Sequence, residues 1–574
     1  MNKFAKLFLA TAFIFASSSL FAGEVNEDEI KSISDQTIVF ENYTGPHQKI
    51  DTLDQIKAIG SGIAEGFNKD KAGNYGKDSR YYVIHSVSDE NSGKLDADIF
   101  VIGSTAGVDH IRNLRHIVAS YLSQAYGYAY DDAYTIATFV TVYNAVYRGK
   151  LDYFQSKYKS DVIKNLSQDK AGIAISYKEW PGSTQMVIPL GDLNGGLSTV
   201  DTSVISDKKV VDSMREEDDK GIDERKNMVD IKEREAEQAA EKAQEAQKSA
   251  AEEEKQLQEE KKELADKKDN ASKKETQATE AQKKADEAQK KADDAKKTAD
   301  ENPKDAEAQK DAQQAQKEAD TAKKEAVEAQ KDAEEAKKDV EEQEKVVKEQ
   351  QEKTDEAKKE AADEQAVADK KNTEAQDERT QIAQDQKEVI KQSVLEETTA
   401  IYALKVVDTS NLYSAIVKVN RLTGEELKTS PVKVIRNRTV YPAGNNFIAI
   451  AGESGKKSAV KLVQIDKTNL DIVKESEEVI ADNSVLVQAG SDYLAVVNKN
   501  GKNYLGKFNS ELECKATSNV EVNPATPVVP CAEGYCVTDT NGKVIILNMS
   551  DLTKKEQTTA GKAVDTIKAA TNDR

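Results

Sequence analysis

The sequence predicts a multidomain chain. It has an N-terminal α/β or α+β domain, a long alanine-rich antiparallel helical hairpin forming a coiled coil, and a C-terminal β-rich, propeller-like domain. Three observations lead there. Phe, Tyr and Trp are absent from about residue 208 to 395 but frequent on either side. Within that stretch small apolar residues recur every seventh position, first up one run and then down another. Beyond it, short strand-like segments repeat at steps of roughly 42 to 46 residues. The expected divisions are a signal peptide over 1–22, the first domain over 23–205, the hairpin over 206–395 with its turn near 300–304, and the repeat domain over 396–574.

The chain opens like a secretory signal. Lys3 and Lys6 supply the positive region, Leu7 to Phe15 the apolar stretch, and Ser17 to Ala22 a small-residue end. The apolar run is too short to favour a spanning helix, and no Cys near the signal suggests a lipid anchor. The mature protein is expected to be exported and without a transmembrane segment.

In the first domain, Asp98 to Gly103 reads as a buried strand. Helical spacing follows from about Asp109 to Ala125, carrying Ile111, Leu114, Ile117, Val118 and Leu122, with a second helix over Asp131–Tyr147. Gly172–Tyr177 and Gln185–Pro189 read as strands joined by a turn at Trp180-Pro181-Gly182. Gly103-Ser104-Thr105-Ala106-Gly107 lacks the dinucleotide or P-loop pattern and fits an ordinary strand-to-helix turn. Ser104 with His110 or His116 matches no recognised nucleophile–base spacing. The two histidines are six apart, not the four that would put two metal ligands on one helix face. No catalytic, cofactor-binding or metal-ligating residue is therefore assigned, and no cofactor. The tyrosines from Tyr121 to Tyr147 suit helix packing better than a carbohydrate platform.

The ascending ladder runs Ile222, Val229, Ala236, Ala243, Ala250, Leu257, Leu264, Ala271, Ala278, Ala285, Ala292 and Ala299. The descending one runs Ala312, Ala319, Ala326, Ala333, Val340, Val347, Thr354, Ala361, Ala368, Ala375, Ile382 and Val389. Read in opposite directions the two nearly mirror one another, as in one supercoiled antiparallel hairpin. Lys, Glu, Gln and Asp between the rungs are good helix formers at favourable charge spacing. Each alanine methyl contributes only about 0.8 kcal/mol on burial, so stability must come from length. At 1.5 Å per residue the ascending arm is about 115 Å long. The ladder slips at the expected turn, since Ala299 to Ala312 is thirteen residues rather than fourteen. Asn302 is expected to cap the second helix, with Pro303 at its first position. The rival architectures are an unbroken helix pairing in parallel with a second copy and a single charged helix.

In the last domain Tyr402, Phe447, Tyr493 and Tyr535 open similar segments, the later three preceded by Gly444, Gly490 and Gly534. Each segment ends in a polar turn such as Asn420–Gly424 or Asp466–Asn469. Four such units suggest a small propeller or an open, blade-like sheet array, with a β-sandwich as the fallback. Cys531 and Cys536 flank a turn-like tetrapeptide and could form a disulfide across a hairpin, or remain two small buried thiols. Cys514 is left unpaired, and three cysteines with no histidine nearby do not make a structural zinc site. A formal charge of −21 disfavours nucleic acid as a partner.

The run from Tyr177 to Leu190, with its Trp180-Pro181-Gly182, stands before a Lys/Glu/Ala-rich helical segment and a β-rich tail. In this arrangement the chain resembles the spirochaetal 83/100-kDa antigen family known from Borrelia. The resemblance implies an exported, immunogenic, cell-envelope-associated protein with no established enzymatic activity, and carries over no site residues. The leading functional expectation is a periplasmic or envelope scaffold, a coiled-coil strut linking protein-binding domains. A surface adhesin that meets host proteins is the alternative, and a hydrolase in the N-terminal domain a third reading. Envelope or host proteins are the expected partners, and a homo-oligomer could form through the coiled coil.

Overall fold

The computed structural model describes residues 38–191, 196–455 and 458–556. The signal peptide expected over residues 1–22 lies outside the described residues. The chain divides into two compact units. One comprises residues up to 193, 204–222 and 387 onward; the other comprises 194–203 and 223–386.

The N-terminal part of the first unit is an antiparallel sheet covered by helices. Helix α1 (Leu53–Ile63) precedes strands β1 (Gly73–Asp78), β2 (Tyr81–Ser86) and β3 (Asp96–Ile102). Helices α2 (Ile111–Tyr126), α3 (Tyr130–Val146), α4 (Leu151–Lys157) and α5 (Ser160–Lys164) follow, then β4 (Thr184–Leu190). The sheet order is β1-β2-β3-β4. Ala97, Ile99, Phe100 and Ile102 are buried, as an apolar run in a central strand requires. The helix α2 begins at a His110 cap and stops at left-handed Gly127.

The expected strand over Gly172–Tyr177 does not form. Asn144 occupies the edge it would need: Val187 N–H donates to Asn144 Oδ1 (2.7 Å) and Asn144 Nδ2 donates to Val187 O (2.9 Å). Ala171 and Gly172 make only isolated bridges to Gln185, and a 3-10 turn covers Tyr177–Glu179. The buried Trp180 anchors that segment by donating from Nε1 to Ala174 O (2.8 Å).

After α6 (Thr202–Ile205) and α7 (Lys208–Arg215) come the two long helices, α8 (Ile222–Glu301) and α9 (Ala306–Thr399). In the second unit they run antiparallel, as the cross-links Arg379–Glu233, Lys358–Glu254, Lys268–Glu344 and Lys337–Glu275 require. Ala243, Ala250, Ala271, Ala285 and Ala292 on α8 face Ala319, Ala326, Ala361, Ala368 and Ala375 on α9 as buried rungs. Polar pins fix the register. Arg225 Nη1 meets Asp385 and Nε meets Glu378, each at 2.6 Å. Glu235 takes Lys371 Nζ (2.6 Å) and Thr202 Oγ1 (2.7 Å), while Glu374 takes Lys232 Nζ (2.9 Å) and Ser203 Oγ (2.8 Å). A buried ion pair is weak evidence for stability, but one amid identical alanine rungs excludes slipped pairings.

The connection is corrected in one respect. Asp305, not Asn302, caps α9, its Oδ1 accepting from the N–H groups of Glu307 (3.0 Å) and Ala308 (3.3 Å). Asn302 O instead accepts from Asp305 N–H (3.1 Å), so Pro303 sits at the second position of a β-turn, where its fixed φ is favoured.

The C-terminal part of the first unit is three open antiparallel sheets, not a propeller-like ring. Strands β5 (Ala400–Asp408), β6 (Tyr413–Asn420), β7 (Glu426–Thr429), β8 (Ile435–Ala443), β9 (Asn446–Ala451), β10 (Lys461–Asp466) and β11 (Ile472–Glu475) form one seven-stranded sheet. Strands β12 (Val487–Ala489), β13 (Asp492–Lys499), β14 (Lys502–Phe508) and β15 (Cys514–Thr517) form a second. Strands β16 (Val529–Cys531), β17 (Gly534–Thr538) and β18 (Val544–Leu547) form the third. The sheets stack face to face. Tyr493, Ala495 and Val497 pack on Ile448, Ile450 and Leu462, while Leu494 and Val496 pack on Val537, Ile545 and Leu547. A strand buried on both faces explains the unbroken apolar run at 493–497. The ring fails because the first two repeats merge instead of standing as separate blades: Ser414 of β6 pairs with Ile435 of β8.

Candidate functional site

The residues considered for chemistry are engaged in packing and capping. His110 caps α2, its Nδ1 accepting from Arg112 N–H (3.1 Å), and burial lowers its pKa. His116 bonds Tyr130 Oη (2.8 Å) and lies against Tyr134. Ser104 is exposed on its turn, and among the described residues no hydrogen bond joins it to either histidine. Tyr121, Tyr126, Tyr128, Tyr143, Tyr147 and Tyr158 are buried, which makes them packing residues. No group of three or more potential metal ligands occurs among the described residues.

Two histidine sites have no signal in the sequence. His85 stands opposite Asp98 in the β2–β3 ladder, and both are buried. Its Nδ1 meets Asp98 Oδ1 (2.6 Å) and its Nε2 meets Lys69 O (2.8 Å), while Tyr121 and Tyr126 donate to Asp98 Oδ2 (2.7 and 2.6 Å). Burial opposes charging of His85 most strongly, but the bond and the charge of Asp98, with the Lys69 carbonyl and Asp96, together outweigh it and the pKa rises. Every polar atom of this cluster has a partner, which suits a network that fixes the core.

The second histidine lies where the N-terminal part meets the C-terminal sheets. Thr44 Oγ1 donates to Pro431 O (2.6 Å), Gln48 Nε2 to Gly455 O (2.8 Å), and Ala459 N–H to Pro46 O (3.0 Å). Between these, His47 Nε2 bonds Asp109 Oδ2 at 2.7 Å. That bond raises the His47 pKa against the opposing effect of burial.

The most distinctive surface is the outer edge of β5. The repeats can be superposed by their ladders. Asn420, Asp466, Asn509 and Asn548 open equivalent turns, closed by backbone bonds from their N–H groups to Glu425, Asp471, Glu513 and Thr553. Ser430, Ser476 and Ser518 donate equivalently to Ile416, Leu462 and Leu505, each at 2.8 Å. In this register Ile401, not Tyr402, corresponds to Phe447, Tyr493 and Tyr535, because it pairs with Val419 as they pair with Ile465, Phe508 and Leu547. The later three each have a second neighbour strand: Phe447 faces Pro442 in β8, Tyr493 faces Gln488 in β12, and Tyr535 faces Pro530 in β16.

Among the described residues the first repeat has no such leading strand, and α9 runs directly into β5 at Ala400. Among the described residues β5 pairs only with β6. Ile401 is consequently 49% exposed, against 6%, 3% and 7% at the three equivalent positions. Val406, Val407 and the helix-end residues Val394 and Leu395 are exposed as well. A nine-residue edge with one Lys and mostly apolar side chains is the kind that recruits another strand.

With this geometry established, comparison with known proteins is decisive on one point. The profile of the family described as Borrelia P83/100 protein matches residues 27–528. The chain belongs to that family. No curated protein matches it.

The matched P83/100 span contains the N-terminal sheet, both long helices and the β5 edge, and it ends just before β16. Among the described residues no helix of this P83/100 chain is long and apolar enough to cross a membrane. Beyond the span, Cys531 and Cys536 lie with their sulfurs 3.4 Å apart as free thiols. Chemically, the β5 edge offers backbone N–H and C=O groups flanked by apolar side chains. That suits an extended polypeptide segment.

Proposed function

We propose that this P83/100 chain is an exported protein-binding protein of the cell surface, which takes an extended segment of a partner onto the edge of β5. The observation that carries the reading is that, among the described residues, no strand leads the first repeat. Strands β8, β12 and β16 indicate what belongs there: Tyr441-Pro442-Ala443, Val487-Gln488-Ala489 and Val529-Pro530-Cys531 share an apolar residue, then Pro or Gln, then a small residue. A partner segment of that pattern would complete the first repeat as the chain's own strands complete the others. Main-chain bonds would supply affinity and the apolar positions specificity. The charge of −21 favours partners that are not polyanions.

The test places a photo-crosslinking residue at Ile401 and, as a control, at the buried Ile450, in chains displayed on intact cells. A discrete adduct with another polypeptide is expected from position 401 only, lost when Val406→Lys and Val407→Lys are added. Equal or absent labelling at both positions would contradict the proposal. Limited proteolysis of intact cells separates the surface reading from a periplasmic scaffold, which the outer membrane would shield.

A further inference from the structure

We propose that Cys531 and Cys536 form a dithiol that exchanges with disulfides, Cys531 attacking and Cys536 resolving. This rests on the β16–β17 hairpin and is independent of what binds β5. Cys531 pairs with Gly534 and Val529 with Cys536, so only Ala532 and Glu533 form the loop. The two cysteines stand diagonally at its end, with Cys536 Sγ donating to Cys531 Sγ across 3.4 Å. A shift of little more than an ångström would bring the sulfurs to the bonded distance of about 2.05 Å. Gly534 lets β17 lie close against β18 on its other side, since a Cβ there would lie 2.1 Å from Leu547 O.

The three cysteines divide by environment. Cys531 is stabilised as thiolate by the Cys536 S–H and by the Glu533 and Gly534 N–H groups, which lower its pKa. Cys536, the donor in that pair, is shifted up by the same bond. Cys514 donates to Ala516 O (3.5 Å), and burial raises its pKa to about 11, so it stays protonated. The site thus holds an attacking sulfur and a second thiol within reach of it, as exchange requires.

The partner class is a disulfide, RS–SR′. The Cys531 thiolate attacks one sulfur, forming Cys531–S–SR and releasing R′S⁻, which takes up a proton. Cys536 then loses its proton to solvent, and its thiolate attacks Cys531 Sγ, breaking the mixed disulfide and releasing RS⁻. Two protein thiols are oxidised and one external disulfide is reduced to two thiols. The product ties the short strand β16 to β17.

The experiment uses the reduced full chain with oxidised glutathione, read by intact mass and by peptide mapping after alkylation. The expected product has lost two hydrogen atoms through a Cys531–Cys536 link and carries no glutathione, with Cys514 alkylated only after unfolding. Cys536→Ser should stall as a glutathione adduct on Cys531. Cys531→Ser should react at Cys536 at no more than about one-tenth of the Cys531 rate. Circular dichroism of both variants controls for folding. Reaction first at Cys514, equal rates for the two serine variants, or a stable adduct on the unsubstituted chain would each overturn the proposal.

Discussion

His47 and Asp109 lie 62 positions apart in the chain yet share a 2.7 Å bond at the junction of the N-terminal part and the C-terminal sheets. Because folding raises the His47 pKa, the stabilisation is fully present below the ordinary histidine value of about 6.5 and fades as pH rises through the higher folded value. His85 beside Asp98 acts in the same direction. Thermal melts across that window should therefore show stability falling with rising pH, and Asp109→Asn should flatten the dependence. Removing Asp98 is more severe. Asp98→Ala leaves His85 and two tyrosine hydroxyls without their acceptor, and chemical denaturation should register a loss of about 3–5 kcal/mol. Neither pair was legible in the sequence, since nothing in the spacing of a histidine and a distant aspartate announces that a ladder or a loop will join them. His110 and His116, six residues apart, are occupied in capping and packing.

The helical hairpin was the most legible feature, because its seven-residue rungs recur over two runs and mirror one another. The Lys358–Glu254 and Gln247–Gln365 contacts put Ala250 near Ala361, as the mirrored ladders require. With the native cysteines replaced by serine, Ala250→Cys with Ala361→Cys should cross-link within one chain, and a dimer-sized product would point to parallel pairing of two copies. Removing a partner from the buried pin tests the register: Arg225→Ala takes away the buried cation beside Asp385 and should cost about 3–5 kcal/mol. The cap was misplaced by three residues because Asn302-Pro303 satisfies the rule for a helix start and for a β-turn equally well. Only the Asp305 side chain, already bonding two N–H groups, decides between them. The strand expected over 172–177 failed for a comparable reason, since Asn144 from a distant helix takes the hydrogen bonds at Val187 that pairing would need.

In the first unit the N-terminal sheet and the C-terminal sheets are joined through Thr44, Pro46 and Gln48, so distant stretches of chain build one compact body. The repeats were readable from their aromatic and polar-turn spacing, but their closure was not. Whether blades form a ring depends on how sheet edges meet, and the merging of β6 with β8 leaves three stacked sheets with an open end. The one-residue difference between Tyr402 and Ile401 has the same origin, because register is set by ladder partners and a slip of one reverses the face. For function, the consequence is an asymmetry. Three repeats supply their own leading strand, while the first passes straight from α9 into β5, whose outer edge has no partner strand among the described residues. Amide hydrogen exchange over Ala400–Asp408, compared with β9 and β13 in the free protein, tests this most directly. The outward-facing amides of β5 should exchange at least about a hundredfold faster than those of the doubly flanked strands, and they should become protected on addition of a peptide that carries the Val-Gln-Ala sequence of β12. Uniformly slow exchange along β5 at every protein concentration would contradict this, because the edge would then already be filled by the chain itself.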